Sequence, residues 1–227
     1  MRKTIIFKLT VAIVLAVGIN SYAAIGTQNN DTGTDAKELY QLGEKLAQIE
    51  DFEAQVVNGN EISNEILESK ADAICDSVTG SNREDVIENL QKNTSEDLAL
   101  YLKACDAGVV VTEEEVEQQI TYIKENMSET SKKELGAILK GYGISEDEYW
   151  NKAYDEYKKN IIIQKYLNEI INNDIESYGI TYDMGAVYKT DGTAIQESER
   201  ESIDTQIEQI IEDEVNESID EYNITIK

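Results

Sequence analysis

Histidine and proline are both missing from this chain, and cysteine, phenylalanine and tryptophan are scarce: two, two and one in 227 residues. Without histidine the commonest general base is gone. Ser-His-Asp and Cys-His nucleophilic arrangements are excluded with it. Two cysteines alone cannot complete a four-ligand zinc site of the usual kind. Basic residues are also in deficit, 20 Lys and Arg against 46 Asp and Glu, for a formal charge of −26. Nucleic-acid affinity rests on Lys and Arg neutralising phosphates, so nucleic acid is not an expected partner. Anionic lipid surfaces would repel the chain as well. Such a charge also serves simply to keep a protein soluble. The lack of proline removes the main helix breaker and leaves long helices unhindered.

Further chemistry is missing. No Gly-x-x-x-x-Gly-Lys loop is present for nucleotide phosphates. Acidic pairs are abundant, but nothing singles out two carboxylates for glycoside hydrolysis, and on helices such charges form a solvated face. Asp183 and Asp191-Gly192 lack the spacing of a calcium loop. The expectation is a non-catalytic protein with no metal and no cofactor.

What is present begins with an export signal. Arg2, Lys3 and Lys8 precede an apolar or small run from Leu9 to Ile19, and small residues at Ala23 and Ala24 suit a cleavage site after Ala23. This is the layout of a secretory signal peptide over residues 1–23. The run is well short of the ~20 residues that span a bilayer, so no stable membrane insertion is expected after cleavage. Removal of this segment leaves a still more acidic chain, placed in an extracytoplasmic, disulfide-permissive compartment. There Cys75, beside Ala71 and Ile74, and Cys105, near Leu98 and Leu102, are compatible with two buried free thiols or with one disulfide.

Residues 24–35, rich in Gly, Thr and Asn, read as a flexible lead-in. The remaining residues, 36–227, read as one mostly helical domain. Leu39, Leu42, Leu46 and Ile49 share a face of a helix spanning Ala36 to Glu50. Phe52, Ala54 and Val56 alternate before Asn58-Gly59-Asn60, as a strand and turn would. Ser81/Glu84, Thr112/Glu115, Ser131/Glu134, Ser145/Glu148 and Ser198/Glu201 have capping-box spacing. Those at Thr112, Ser145 and Ser198 precede clear apolar periodicity. The helix after Ser145 is the longest and runs to about Asn172. Residues 173–197 lose the helical period and read as loop with a strand or two. A final amphipathic helix carries Ile203, Ile207, Ile210, Ile211, Val215 and Ile219, and Tyr222 to Ile226 alternates like a strand. Its expected partner is Ala54 to Val57, which would tie the ends of the domain together.

The order of strand, Asn-Gly turn, helices and long aromatic helix resembles the N-terminal, peptide-binding domain of the SurA and PrsA extracytoplasmic chaperones. Three stretches carry the resemblance: Val56 to Ser63 (VVNGNEIS), Ala104 to Val116 (ACDAGVVVTEEEV), and Gly143-Ile144-Ser145 with Glu148-Tyr149-Trp150 and Ile161 to Leu167 (IIIQKYL). It covers roughly Glu53 to Asn172 and again Ser198 to Lys227. Relatives often carry a parvulin-type prolyl isomerase between the long and closing helices. Here about 26 residues separate Ile171 from Ser198, fewer than the ~50 of even a small domain. The histidines typical of that isomerase site are missing too. The resemblance therefore implies the binding scaffold without the enzyme.

The remaining signal is aromatic. Eight of the thirteen tyrosines lie between Tyr142 and Tyr188, with the only tryptophan. Tyr and Trp offer apolar area with a polar tip, which suits surfaces that bind varied peptides; Met offers adaptable contacts. Tyr101, Met127, Tyr142, Tyr149, Trp150, Tyr154 and Tyr157 are the candidate peptide-binding residues, and the same stripe would equally serve as ordinary helix packing. The expected function is that of an exported ATP-independent chaperone or holdase, whose apolar, Tyr-rich cradle holds extended segments of unfolded or secreted clients. The alternative is a dedicated interaction subunit for one envelope or secreted partner on the same fold.

Overall fold

The computed structural model describes residues 36–49, 56–57, 59–183 and 186–227. The expected signal segment, the lead-in, and Phe52 and Ala54 of the expected strand lie outside these residues. Among those described there are seven α-helices: α1 (Ala36–Leu46), α2 (Asn64–Ser77), α3 (Arg83–Asp106), α4 (Glu113–Asn126), α5 (Glu129–Tyr142), α6 (Glu146–Ile175) and α7 (Glu197–Tyr222). Four short strands accompany them: β1 (Glu61–Ile62), β2 (Ile180–Asp183), β3 (Ala186–Lys189) and β4 (Thr225–Ile226).

The helix starts follow local chemistry. At α4 the Thr112 N–H donates to Glu115 Oε2 at 2.8 Å, and the Glu115 N–H donates back to Thr112 Oγ1 at 3.3 Å. The same reciprocal box at α6 links Ser145 and Glu148 at 2.8 and 3.2 Å. Both satisfy N–H groups that a helix terminus otherwise leaves unpaired. The other three expected boxes are displaced. α3 is capped by Asn82, which accepts from the Glu84 N–H, and α5 by Ser128, which accepts from the Ser131 N–H. At α7 the box residue is Gln196, whose N–H donates to Glu199 Oε2 at 2.9 Å. Ile195 packs against the core just before it, and this contact fixes the chain entry two residues ahead of Ser198. Gly143 ends α5 in a left-handed conformation at φ 86°, which lets the chain turn at once into α6.

α6 is 30 residues long, about 45 Å at helical rise, and it joins two hydrophobic cores. Its first half, with Tyr149, Trp150, Tyr157 and Ile161, packs into a core built from α1, α2, the start of α3, α4 and α5. Its second half, with Ile163, Tyr166, Leu167 and Ile171, packs with the end of α3, with Tyr182 of β2, and with Ile203, Ile207 and Val215 of α7. β2 and β3 form an antiparallel hairpin within the stretch expected to be loop with a strand or two. The Asn172 side chain brackets this hairpin: its Nδ2 donates to the Tyr182 carbonyl and its Oδ1 accepts from the Tyr182 N–H, both at 2.8 Å.

The termini of the helical domain are tied as expected, but by other residues. β4 pairs in parallel with β1, Glu61 beside Thr225 and Ile62 beside Ile226. Of the strand expected at Ala54 to Val57, Val56 and Val57 are described, and Val56 forms an antiparallel bridge with Ile62. Ile62 is fully buried, and burying it places the ladder beyond the turn. The Lys227 N–H donates to the Ile62 carbonyl at 2.9 Å, and the Asn64 N–H donates to the Lys227 carbonyl at 2.6 Å. Cys75 and Cys105 are free, the first half-buried against the first core and the second exposed. No helix among the described residues is long and apolar enough to cross a membrane.

Candidate functional site

The seven candidate residues do not share one surface. Tyr149, Trp150 and Tyr157 are 1%, 4% and 3% exposed. Their rings are in mutual contact, Tyr149 edge-on to Trp150 at 4.9 Å and Trp150 stacked on Tyr157 at 5.9 Å. Lys124 of α4 lies 4.9 Å over the Trp150 ring, a cation–π contact. The Trp150 Nε1–H donates to Glu146 at 3.1 Å. Burial drives the Tyr149 and Tyr157 hydroxyls far above the ordinary tyrosine range, so both stay neutral. These three rings stabilise the first core and are not available to a ligand.

Tyr101, Met127, Tyr142 and Tyr154 are half-buried. Tyr101 belongs to the second core, and the other three edge the first. No continuous tyrosine-lined cradle is formed by the seven. Among the described residues, the strongly exposed tyrosines are Tyr122, Tyr178 and Tyr188, at 57%, 65% and 56%. Tyr122 was legible as an outward residue, since it lies on the same face of α4 as Gln118 and Glu125. Tyr178 and Tyr188 belong to the hairpin region, where helical periodicity says nothing.

Of the seven, Met127 alone lines a cleft with an apolar floor and a charged rim. This cleft encloses about 290 Å³ between the α4–α5 turn, one face of α5 and the start of α6. Its walls are Met127, Lys132, Leu135, Gly136, Leu139, Lys140, Ile144 and Glu146. The positions 132, 135, 136, 139 and 140 follow the i, i+3, i+4, i+7, i+8 pattern of a single helix face. Leu135 and Leu139 are buried and form the floor, whereas Gly136 is exposed. The size suits one large side chain and not a long segment. A shallower depression of about 410 Å³ lies on the outer face of α4, between Glu114, Glu117, Gln118, Thr121, Tyr122 and Glu125. It is strongly acidic and has no apolar floor.

Two carboxyls outside the cleft are strongly perturbed. Asp97 on α3 is pushed up to about 7, first by desolvation and then by Glu156 and Glu96. Asp97 is nevertheless a solvent-exposed residue by surface area, so solvent weakens the desolvation and the repulsion that raise it. Glu115 is held at about 2, chiefly by the Lys165 ammonium and then by the Thr112 N–H. Lys165 also donates to the Val110 carbonyl at 3.3 Å, so it pins the loop before α4 against α6. Among the described residues, no group of three or more Cys, Asp or Glu is placed to hold a metal ion. Comparison with protein-family models, with curated proteins and with solved structures finds no match to this chain.

Proposed function

We propose that the protein is a non-catalytic, ATP-independent chaperone or holdase of the extracytoplasmic space, on a scaffold like the SurA and PrsA N-terminal domain without an isomerase. It binds extended polypeptide segments one bulky side chain at a time. The observation that carries this reading is the cleft of α5 and α6, floored by Leu135 and Leu139, flanked by Met127 and Ile144, and rimmed by Lys132, Lys140 and Glu146. Methionine and aliphatic walls adapt to varied side chains, which suits weak, exchanging contacts with many clients. The charge of −26 favours this role, because it keeps a client-loaded complex soluble. The element order, the long sixth helix and the closing β1–β4 pairing add support, since the resemblance implies all three.

The expected result is suppression of aggregation of a chemically denatured client at near-stoichiometric amounts, without nucleotide. No suppression at tenfold excess, together with one protein co-purifying in fixed ratio, sinks the general holdase and leaves the dedicated interaction subunit. Catalysed isomerisation of a proline peptide overturns the non-catalytic reading altogether.

A further inference from the structure

Three glycines lie inside the helices of the described residues: Gly43 in α1, and Gly136 and Gly141 in α5. Glycine within a helix lowers stability relative to alanine, because its backbone loses more freedom on folding. Gly43 and Gly141 have a steric reason to be there, since a methyl group on either would overlap backbone of the opposing helix. Gly136 has none. Its backbone is ordinary helix, and a Cβ there would meet no atom within 4 Å. What Gly136 does is leave the middle of the cleft empty.

The charge around that space is unusual for this molecule. α5 is the one helix among the described residues in which lysines outnumber acids, Lys132, Lys133 and Lys140 against Glu129 and Glu134, in a chain of net −26. Lys132 and Lys140 lie one turn before and one turn after Gly136, both on the cleft wall. Lys132 approaches Glu129 at 3.1 Å, but both are solvent-exposed and such a pair is weak. Lys140 has no acidic partner among the described residues. Across the cleft, Glu146 accepts from the Trp150 indole at 3.1 Å. Its charge repels an incoming carboxylate and directs it towards the α5 lysines.

We propose that the cleft selects client segments in which a bulky apolar side chain stands next to an acidic one. The apolar group enters over Gly136 onto Leu135 and Leu139, and the neighbouring carboxylate meets Lys132 and Lys140. The selection rests on the peptide-binding reading above and refines it.

The test measures fluorescence anisotropy of labelled, unstructured peptides with a central Phe-Glu, Phe-Gln or Phe-Lys pair, at physiological salt. Phe-Glu binds about tenfold more tightly than Phe-Gln, as one charge-assisted hydrogen bond allows, and Phe-Lys binds weakest. Lys132→Gln with Lys140→Gln erases the difference while keeping the Phe-Gln affinity. Gly136→Trp abolishes binding of all three, with Gly136→Leu in its place if the tryptophan variant does not fold. Gly136→Ala raises Tm by about 2–4 °C, since helix stability is gained where nothing is crowded.

Equal affinity for Phe-Glu and Phe-Gln, with Gly136→Trp still abolishing both, overturns the charge selection and leaves peptide binding standing. No binding of any of the three at about 1 mM overturns both together. A concentration-dependent dimer lost in Gly136→Trp assigns the cleft to a second copy of the chain, and overturns the proposal as well.

Discussion

Gly43 on α1 and Gly141 on α5 lie at one helix crossing, each packed against the backbone of the other helix with no room for a side chain. A methyl group on Gly43 would overlap the Ile138 carbonyl, and one on Gly141 would overlap the Tyr40 carbonyl. The obstacle in both cases is backbone, which cannot swing aside as a flexible side chain can. This crossing attaches α1 to α5 and buries Leu39, Leu42 and Leu46 in the first core.

Gly43→Ala and Gly141→Ala should each destabilise the fold by roughly 1–3 kcal/mol, the usual range for overpacking. The penalty opposes the gain that alanine normally brings to a helix. Urea unfolding of the two variants beside wild type measures it. Equal or greater stability in either variant means that α1 and α5 do not approach as described.

The two reciprocal boxes make a second prediction. Thr112→Ala and Ser145→Ala should each cost about 1 kcal/mol, the typical loss of an N-cap hydroxyl. Ser198→Ala, at the expected box that did not form, should stay within about 0.5 kcal/mol of wild type. A loss at Ser198 as large as that at Thr112 contradicts the assignment of Gln196 as the α7 cap.

Asp97 and Glu115 act in opposite directions on the pH dependence. Asp97 is raised from 3.8 to about 7 in the fold, so the native state binds more protons across that window. Stability therefore falls as pH rises through 7, and is recovered on acidification. Glu115 is lowered from 4.5 to about 2, so its contribution is present above the ordinary range and lost as pH falls towards 2. Unfolding midpoints should rise as pH falls from 8 towards 4 and decline again between about 4 and 2. Asp97→Asn should gain on the order of 1 kcal/mol at pH 8, because solvent reaching the carboxylate screens its neighbours. The gain should shrink by pH 5 and vanish below about 3.8, where Asp97 is protonated in both states. The same gain at pH 8 and at pH 3.5 would detach the effect from Asp97 ionisation.

The cysteines give a chemical readout of the fold. Cys105 is exposed, whereas Cys75 is half-buried and its thiol is raised by burial, with Asp72 adding to it. Thiolate is the reactive form. A thiol reagent should label one equivalent rapidly in the native protein, at Cys105, and the second only slowly. Reductant should leave Tm unchanged. Rapid labelling of both, or of neither, contradicts this arrangement.

Much of the architecture was legible in local pattern. The helix starts at Thr112 and Ser145, the length of the helix after Ser145, the strand content after residue 173 and the strand-like end of the chain all follow from spacing and periodicity. These signals are local: a capping box needs only residues three apart, and an apolar stripe needs only a helical period. The displaced caps at Asn82, Ser128 and Gln196 show the same limit, since a chain this rich in Ser and Glu offers several boxes and tertiary contacts pick among them.

The candidate site was less legible, and the reason is geometric. Periodicity says which residues share a face, but not which neighbour covers that face. Tyr149 and Tyr157 point into the first core because α6 lies against the helices that build it, whereas Tyr122 faces water on α4, and nothing in the residue type distinguishes them. Gly136 and Gly141 sit five residues apart on one helix. One is demanded by a backbone crossing and the other borders open space, a difference that exists only once α1 and the start of α6 are in place. The sequence by itself determined composition, charge and helix grammar, because these depend on near neighbours. Only the tertiary structure decided which surfaces stay empty, because a void is a property of everything around it.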